Sequence, residues 1–169
     1  VDALKRGLER LGWREGDQVD YGLADAAGDP AGLATAVARL MAWQPDVLVS
    51  SSNRTHFAVR DATSTIPVVV VSAIDPVTLG ITDSVARPSR NFTGSIGFID
   101  QLMVKRIEFL REVLPQARRI ALHLDPDNPA FPATHRVAAE AAQRLGLEIV
   151  VAGYGHRDGV VPALDKAKE

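Results

Sequence analysis

Residues 45–72, PDVLVSSSNRTHFAVRDATSTIPVVVVS, carry the pattern that decides the fold. An apolar run, Val47 to Val49, ends in a polar stretch, Ser50 to Asn53, that leads into a predicted helix from Arg54 to Thr63. A second apolar run, Pro67 to Val71, follows. Such short valine-rich runs are typical of parallel strands buried on both faces. Strand, helix and strand in this order predict a βαβ unit.

The same alternation continues along the rest of the chain. Apolar residues at helical spacing predict further helices at Val1–Leu11, from Asp29-Pro30 onward, at Met103–Leu114, at Pro132–Leu145 and from Asp158 onward. Further strands are predicted at Val19–Leu23, Ile120–Leu124 and Leu147–Val151. Residues 75–94 are mostly loop, so we predict a boundary near residues 95–100. The expected fold class is α/β with two parallel-sheet lobes, residues 1–96 and part of a second lobe, residues 97–169.

The composition excludes several classes of protein. The 169 residues carry a formal net charge of −2, which gives no sign of nucleic-acid binding. A hydrophobic content of 46% permits a packed core. The longest apolar run, Ile66 to Val71, is far shorter than the roughly 20 residues that span a bilayer. The absence of cysteine excludes a disulfide framework, a thiolate metal site and a cysteine nucleophile.

Motifs for metal or nucleotide chemistry are weak. The histidines at 56, 123, 135 and 156 are never three or four residues apart, so no helical metal pair exists. The tract from Asp125 to Asn128 begins like a calcium loop but lacks the required glycine and glutamate, which favours a turn and helix cap. We expect no metal and no cofactor. Gly153, Gly155 and Gly159 resemble a dinucleotide loop with imperfect spacing and leave a nucleotide-dependent α/β enzyme as an alternative.

Polar side chains follow three of the predicted strands. Ser50–Asn53 follow Val49, Ser72 and Asp75 follow Val71, and Asp125, Asp127 and Asn128 follow Leu124. Ligands of open parallel sheets bind beyond the carboxyl ends of the strands. The helix N-terminus after Ser52 suits a ligand carboxylate, and Asp75 suits a ligand ammonium. Ordinary turn and cap roles would explain the same residue types. Their recurrence on both sides of the predicted boundary favours a ligand cleft between lobes.

Several segments resemble a known family. They include Leu11-Gly12-Trp13-Arg14-Glu15-Gly16, Ala62 to Val69, Asp75-Pro76-Val77, Asn91-Phe92-Thr93-Gly94 and Pro126-Asp127-Asn128-Pro129. In this order they resemble the substrate-binding proteins of bacterial ABC importers, whose characterised members include tryptophan- and other amino-acid-binding lipoproteins. The resemblance extends from residue 1 to about residue 152.

The resemblance implies a type I periplasmic-binding fold whose two lobes close over a ligand by hinge motion. It also implies an extracytoplasmic location, periplasmic or membrane-anchored, and no catalysis. The implied partners are a small-molecule ligand and an ABC permease, with no nucleic acid, and the protein is expected to be a monomer. A sensory ligand-binding domain of the same fold is an alternative. The ligand-binding residues implied are Ser51, Ser52, Asn53, Asp75, Asn91, Thr93, Asp127 and Asn128.

The chain departs from the family pattern at three places. Ser52-Asn53-Arg54 replaces the usual Gly-Thr-Pro, Pro88-Ser89-Arg90-Asn91 replaces Pro-Gly-Gly-Asn, and Asp125-Pro126 replaces Asn-Pro. The first change places a cation beside the expected carboxylate site. Arg54 favours a second carboxylate or a larger anion on the ligand, or else faces solvent. Since relatives have a strand before the first helix and continue past residue 169, we expect the chain to be part of a longer polypeptide.

Overall fold

The computed structural model describes residues 1–26, 29–88, 90–97, 99–154 and 159–166. The chain forms two compact units, residues 1–44 and residues 45–169. The first unit contains helices α1 (Asp2–Arg10) and α2 (Pro30–Ala42). The second contains two parallel sheets with helices between the strands.

The structure confirms the predicted helix start at Asp29-Pro30 but has no strand at residues 19–23. Asp29 caps the helix by accepting a hydrogen bond from Ala31 N at 2.9 Å, and proline occupies the first helical position. The predicted strand at 19–23 is wrong. A strand needs a hydrogen-bonded neighbour along its length. In the described part of this unit, the segment makes one isolated bridge, from Val19 to Glu15.

The predicted βαβ unit is confirmed. Strand β1 (Leu48–Ser50), helix α3 (Asn53–Ala62) and strand β2 (Val68–Ala73) follow one another, and the two strands pair in parallel with Leu48 opposite Val68. Strand β3 (Phe92–Ile96) pairs with β2, which gives the order β1-β2-β3. The carboxyl ends of all three strands therefore lie at the same edge.

Strand β3 begins within residues 75–94, which the sequence predicts to be mostly loop. The prediction misses the strand because Gly94 is a residue type more typical of turns. Gly94 has φ +147°, and a Cβ on this residue would lie 1.9 Å from Val70 O. The register between β2 and β3 shifts between Val70 and Ala73, next to this contact. Glycine is needed here because the two backbones approach too closely for any side chain.

The first sheet is buried on one face, whereas the sequence predicts burial on both. Leu48, Val68 and Phe92 are buried, but Val49 and Val71 are 49% and 45% exposed. The prediction is wrong because helix α3 packs against β1 and β2 on one side. Valine-rich runs alone do not distinguish a sheet that is buried on one face from a sheet that is buried on both.

The second sheet pairs β4 (Arg119–Leu124) with β5 (Glu148–Gly153) in parallel. Helices α4 (Ile99–Val113) and α5 (Phe131–Arg144) pack on each other, and α6 (Val160–Lys166) follows β5. Their shared core consists of Met103, Ile107, Ala138, Ala141, Ala142 and Leu147. The expected α/β class with parallel sheets is confirmed. The boundary between residues 1–96 and 97–169 stays a prediction.

Candidate functional site

The predicted ligand residues of the first sheet lie at its carboxyl edge. Strand β1 ends at Ser50 and strand β2 at Ala73, and the two strands are direct neighbours. Ser51, Ser52 and Asn53 follow the first strand, and Asp75 follows the second. The topology therefore brings these four residues to adjacent strand ends, as expected for the ligand edge of a parallel sheet.

The turn after β1 is closed by a capping box. Ser52 Oγ accepts from Thr55 N at 3.3 Å, and Thr55 Oγ1 accepts from Ser52 N at 3.1 Å. Ser51 and Ser52 are both exposed. The first N–H groups of a helix have no partner within the helix, and they carry about half a positive charge between them. This turn therefore presents a positive helix end beside two exposed hydroxyls.

Asn53 connects the two strand ends. Its Oδ1 accepts a hydrogen bond from Ile74 N at 3.4 Å, and the residue is 7% exposed. Its Nδ2 is buried and has no hydrogen-bond partner among the described residues. A buried donor without a partner costs about 1–3 kcal/mol. Asn53 Nδ2 is therefore a donor that a ligand acceptor would satisfy.

Asp75 is half-buried and lies one residue after Ile74. Its φ of 40° lies in the left-handed region, and its Oδ1 accepts from Thr78 N at 3.3 Å. The carboxylate thus closes the turn after β2 while staying partly accessible. Asp75 and Asn53 are brought together at this turn through Ile74.

Arg54 and Asp125 form an ion pair that joins the two sheets. Arg54 Nη2 lies 2.6 Å from Asp125 Oδ2, and the two side chains are 22% and 24% exposed. Arg54 lies in the first turn of α3, and Asp125 directly follows β4. The solvent-facing alternative for Arg54 is therefore wrong. The sequence marks both residues as departures from the family pattern, but a separation of 71 residues gives no sign that they meet.

The loop after β4 is ordered by its own side chains. Asp125 Oδ1 accepts from Asp127 N at 3.0 Å, and Asn128 Oδ1 accepts from Ala130 N at 3.0 Å. Asp127 is exposed and Asn128 is half-buried. Within the part of the chain that the structure describes, no group of three or more metal-ligating residues forms a site.

Asn91 and Thr93 lie away from this edge, and their predicted role at the ligand site stays a prediction. Asn91 precedes β3 and donates from Nδ2 to Ile66 O at 2.7 Å and to Thr63 O at 3.4 Å. It therefore joins the segments that enter β2 and β3, at the amino end of the sheet. Thr93 is exposed within β3, opposite Val69. At about 3.3 Å per residue, Asn91 is roughly 16 Å from the carboxyl edge.

A buried histidine lies under the turn after β1. His56 is fully buried, its Nδ1 is 2.7 Å from Ser50 Oγ, and Ser50 Oγ is 2.7 Å from Thr55 Oγ1. Burial lowers the pKa of His56, so the ring is neutral at pH 7. Its Nε2 has no partner among the described residues. Its three-residue spacing from the apolar Val59 is the sequence signal for this inward position.

A second histidine lies close to the carboxyl edge of the other sheet. The rings of His123 and Tyr154 stack with centroids 4.3 Å apart and planes at 21°. Tyr154 N donates to Leu124 O at 3.2 Å, which holds the residue after β5 beside the end of β4. Both ring nitrogens of His123 are buried without a partner in the described parts of the chain. Sequence spacing gives no signal for this stack.

Other candidate sites are less well supported. A cavity of about 260 Å³ lies near the amino end of β4, with Leu110 and Leu147 in its lining, and not at the carboxyl edge. In the glycine motif, a Cβ added to Gly153 would lie 3.5 Å from Pro126 Cγ, an ordinary contact, and Gly155 lies outside the described residues. No helix in the described ranges is long and apolar enough to cross a membrane.

Three solved structures share the fold of this chain. A conserved domain protein from Vibrio cholerae O1 biovar El Tor matches 98% of this chain and 55% of its own, with a TM-score of 0.86 and 26% identity. An ABC domain in complex with L-Trp from Streptococcus pneumonia matches 96% and 54%, with a TM-score of 0.82 and 19% identity. The ligand-free, open CD0873 of Clostridium difficile, a substrate binding protein with adhesive properties, matches 98% and 55% at 21% identity and a TM-score of 0.63.

The sequence comparisons agree with the fold. A tyrosine-binding protein of Clostridioides difficile (strain R20291) is 24% identical over 126 residues, which cover 72% of this chain and 36% of that protein. The chain thus spans about half the length of the solved relatives and about a third of the curated one. A family model described as ABC transporter substrate binding protein matches residues 1–167. The chain belongs to the ABC transporter substrate-binding protein family.

Proposed function

We propose that the protein containing this chain is an extracytoplasmic solute-binding protein. It captures a small molecule, an amino acid or a related small organic anion, and delivers it to an ABC importer without catalysis. Family membership supports this role. The observation that carries the proposal is Asn53 Nδ2, a buried donor without a partner among the described residues, at the carboxyl edge where parallel sheets bind ligands.

The proposed site divides the ligand between its two charged ends. The ligand carboxylate lies at the N-terminus of α3, where Ser51, Ser52 and Asn53 provide hydroxyl, amide and backbone donors. The carboxylate of Asp75 pairs with a ligand ammonium. Asp127 and Asn128 contact the ligand from the loop after β4, which meets α3 through the Arg54–Asp125 ion pair, and hinge motion near residues 95–100 opens and closes the lobes.

Two relatives support amino acids as the ligand class. One is a tyrosine-binding protein, and another was solved in complex with L-Trp. Both ligands carry the carboxylate and ammonium that the proposed site separates. Binding near micromolar, about −8 kcal/mol, is expected for such a carrier.

Native mass spectrometry of the full-length protein tests this function. We expect a small adduct on the folded protein that is lost when the protein unfolds, and its mass then identifies the solute. Isothermal titration calorimetry with that solute should give a 1:1 complex. A protein without an adduct that binds none of the twenty amino acids, and no small organic anion, would contradict the proposal.

A further inference from the structure

The Arg54–Asp125 ion pair differs from the other ion pairs in the described residues. Both of its partners are about three-quarters buried, whereas five other pairs each have at least one partner exposed by half or more. Electrostatic interactions weaken with exposure to water. The pair that joins the carboxyl edges of the two sheets is therefore less screened by water than those five pairs.

The two partners are held differently. Asp125 is fixed by its own loop, because its Oδ1 accepts from Asp127 N at 3.0 Å. Arg54 is held at one point, since its guanidinium bonds to Asp125 Oδ2 alone within the described ranges. A guanidinium has five N–H donors and matches a carboxylate in bidentate fashion. Arg54 can therefore bind a second carboxylate with a small movement of its side chain.

This inference rests on the proposed function. We propose that Arg54 and Asp125 bind the two charged groups of the ligand and thereby select zwitterions, and we call this pair the charge clamp. The ligand carboxylate forms an ion pair with Arg54, and the ligand ammonium forms an ion pair with Asp125. An ammonium has three donors, so Asp125 adds to the contact proposed for Asp75.

The proposal follows from charge neutrality. A zwitterion gives each member of the pair a new partner, so no charge stays buried without compensation. The Arg54–Asp125 pair is neutral as a unit, so a zwitterion adds no net charge to it. A simple anion would add a negative charge that competes with Asp125 for Arg54, and a simple amine would add a positive charge that competes with Arg54 for Asp125. The clamp therefore favours amino acids over their deaminated and decarboxylated analogues.

The experiment measures selectivity by calorimetry with the full-length protein. The twenty amino acids are screened first, and the tightest binder is compared with the amine and the acid that each lack one of its charged groups. For L-tryptophan these probes are tryptamine and indole-3-propionate. The wild-type protein should prefer the amino acid over either analogue by roughly 30-fold or more.

The variants assign each preference to one residue. Arg54→Gln should reduce the preference over tryptamine at least tenfold, and Asp125→Asn should do the same for the preference over indole-3-propionate. Arg136→Gln, which removes an exposed pair with Glu140 on α5, should change neither ratio. If Arg54→Gln does not fold, Arg54→Lys keeps the charge without the planar fork and should give an intermediate ratio.

The outcomes separate this inference from the proposed function. If the variants weaken all three probes equally, the pair only bridges the sheets and the inference is overturned while solute binding stands. An adduct that is a simple anion also overturns the clamp and supports solute binding. Absence of any adduct and any binding overturns both.

Discussion

Two asparagines at opposite ends of the same sheet have different environments. Asn91, at the amino end, uses its Nδ2 to bind the carbonyls of Ile66 and Thr63. Asn53, at the carboxyl end, binds Ile74 N through Oδ1, but its buried Nδ2 has no partner among the described residues. The amino end is satisfied by the chain itself, whereas the carboxyl end retains an unused donor. The comparison identifies Asn91 as a structural residue and Asn53 as a candidate for ligand contact.

The largest expected effect comes from the carboxylate at the carboxyl end. Asp75→Ala should weaken ligand binding by roughly 2–5 kcal/mol, because the partly buried ligand ammonium would lose a carboxylate partner. Calorimetry with the natural solute measures the change. Arg87→Ala, at an exposed position, is the matched control and should leave affinity unaltered. Equal affinity of Asp75→Ala and wild type would remove Asp75 from the site.

At the amino end, Asn91→Ala should cost about 1–3 kcal/mol of unfolding free energy. Two backbone carbonyls, Ile66 O and Thr63 O, lose their donor. Urea denaturation measures the loss. Ligand affinity should stay within about threefold of wild type. A larger fall in affinity at unchanged stability would show that Asn91 contributes to ligand binding and would contradict the contrast with Asn53.

Asn53→Asp separates the two functions of the carboxyl-end residue. The acidic side chain keeps an acceptor for Ile74 N and suits the N-terminus of α3, so stability should change by no more than about 1 kcal/mol. The donor is lost and a negative charge faces the ligand carboxylate. We expect affinity to fall roughly tenfold, or about 1.4 kcal/mol. Unchanged calorimetric affinity would indicate that Nδ2 does not contact the ligand.

The smallest effect depends on pH. Burial holds the pKa of His56 below its ordinary value of 6.5, so the unfolded chain binds a proton more readily than the folded one. Stability from this group is complete above pH 6.5 and is lost as pH falls below it, by at most about 1.4 kcal/mol per pH unit. Urea titrations between pH 7.5 and 5.5 should show this decline.

Hydrogen exchange then locates the acid effect. Protection of residues 51–55 should fall at pH 5.5 more than protection around Asn91, because His56 bonds to Ser50 under that turn. In His56→Gln, the protection of residues 51–55 should no longer fall between pH 7.5 and pH 5.5. An equal loss at both ends of the sheet would rule out His56 as its cause.

Much of the fold follows from local pattern. Asp29 followed by Pro30 predicts the start of α2, and the apolar runs before Ser50 and Ser72 predict β1 and β2. These signals act within a few residues, so they can be recognised in one sequence. The prediction that polar residues end the strands at one edge also follows, because parallel strands share their direction.

The rest depends on contacts between distant segments. Strand β3 cannot be recognised from the sequence, because glycine in a sequence usually indicates a turn. Here Gly94 is required by the close backbone of Val70, which lies far away in the sequence. The exposed face with Val49 depends on which side helix α3 covers. The pairing of Arg54 with Asp125 joins the first turn of α3 to the loop after β4, which no local pattern relates.

The contact between Gly94 and Val70 also limits how this protein can vary in nature. Nineteen amino acids carry a Cβ that would overlap the backbone of β2, so any replacement must first open the sheet. Loops such as residues 83–88 can accumulate changes without this cost. Among descendants of this gene that keep the bulge, position 94 should therefore remain glycine long after most of the surface has diverged.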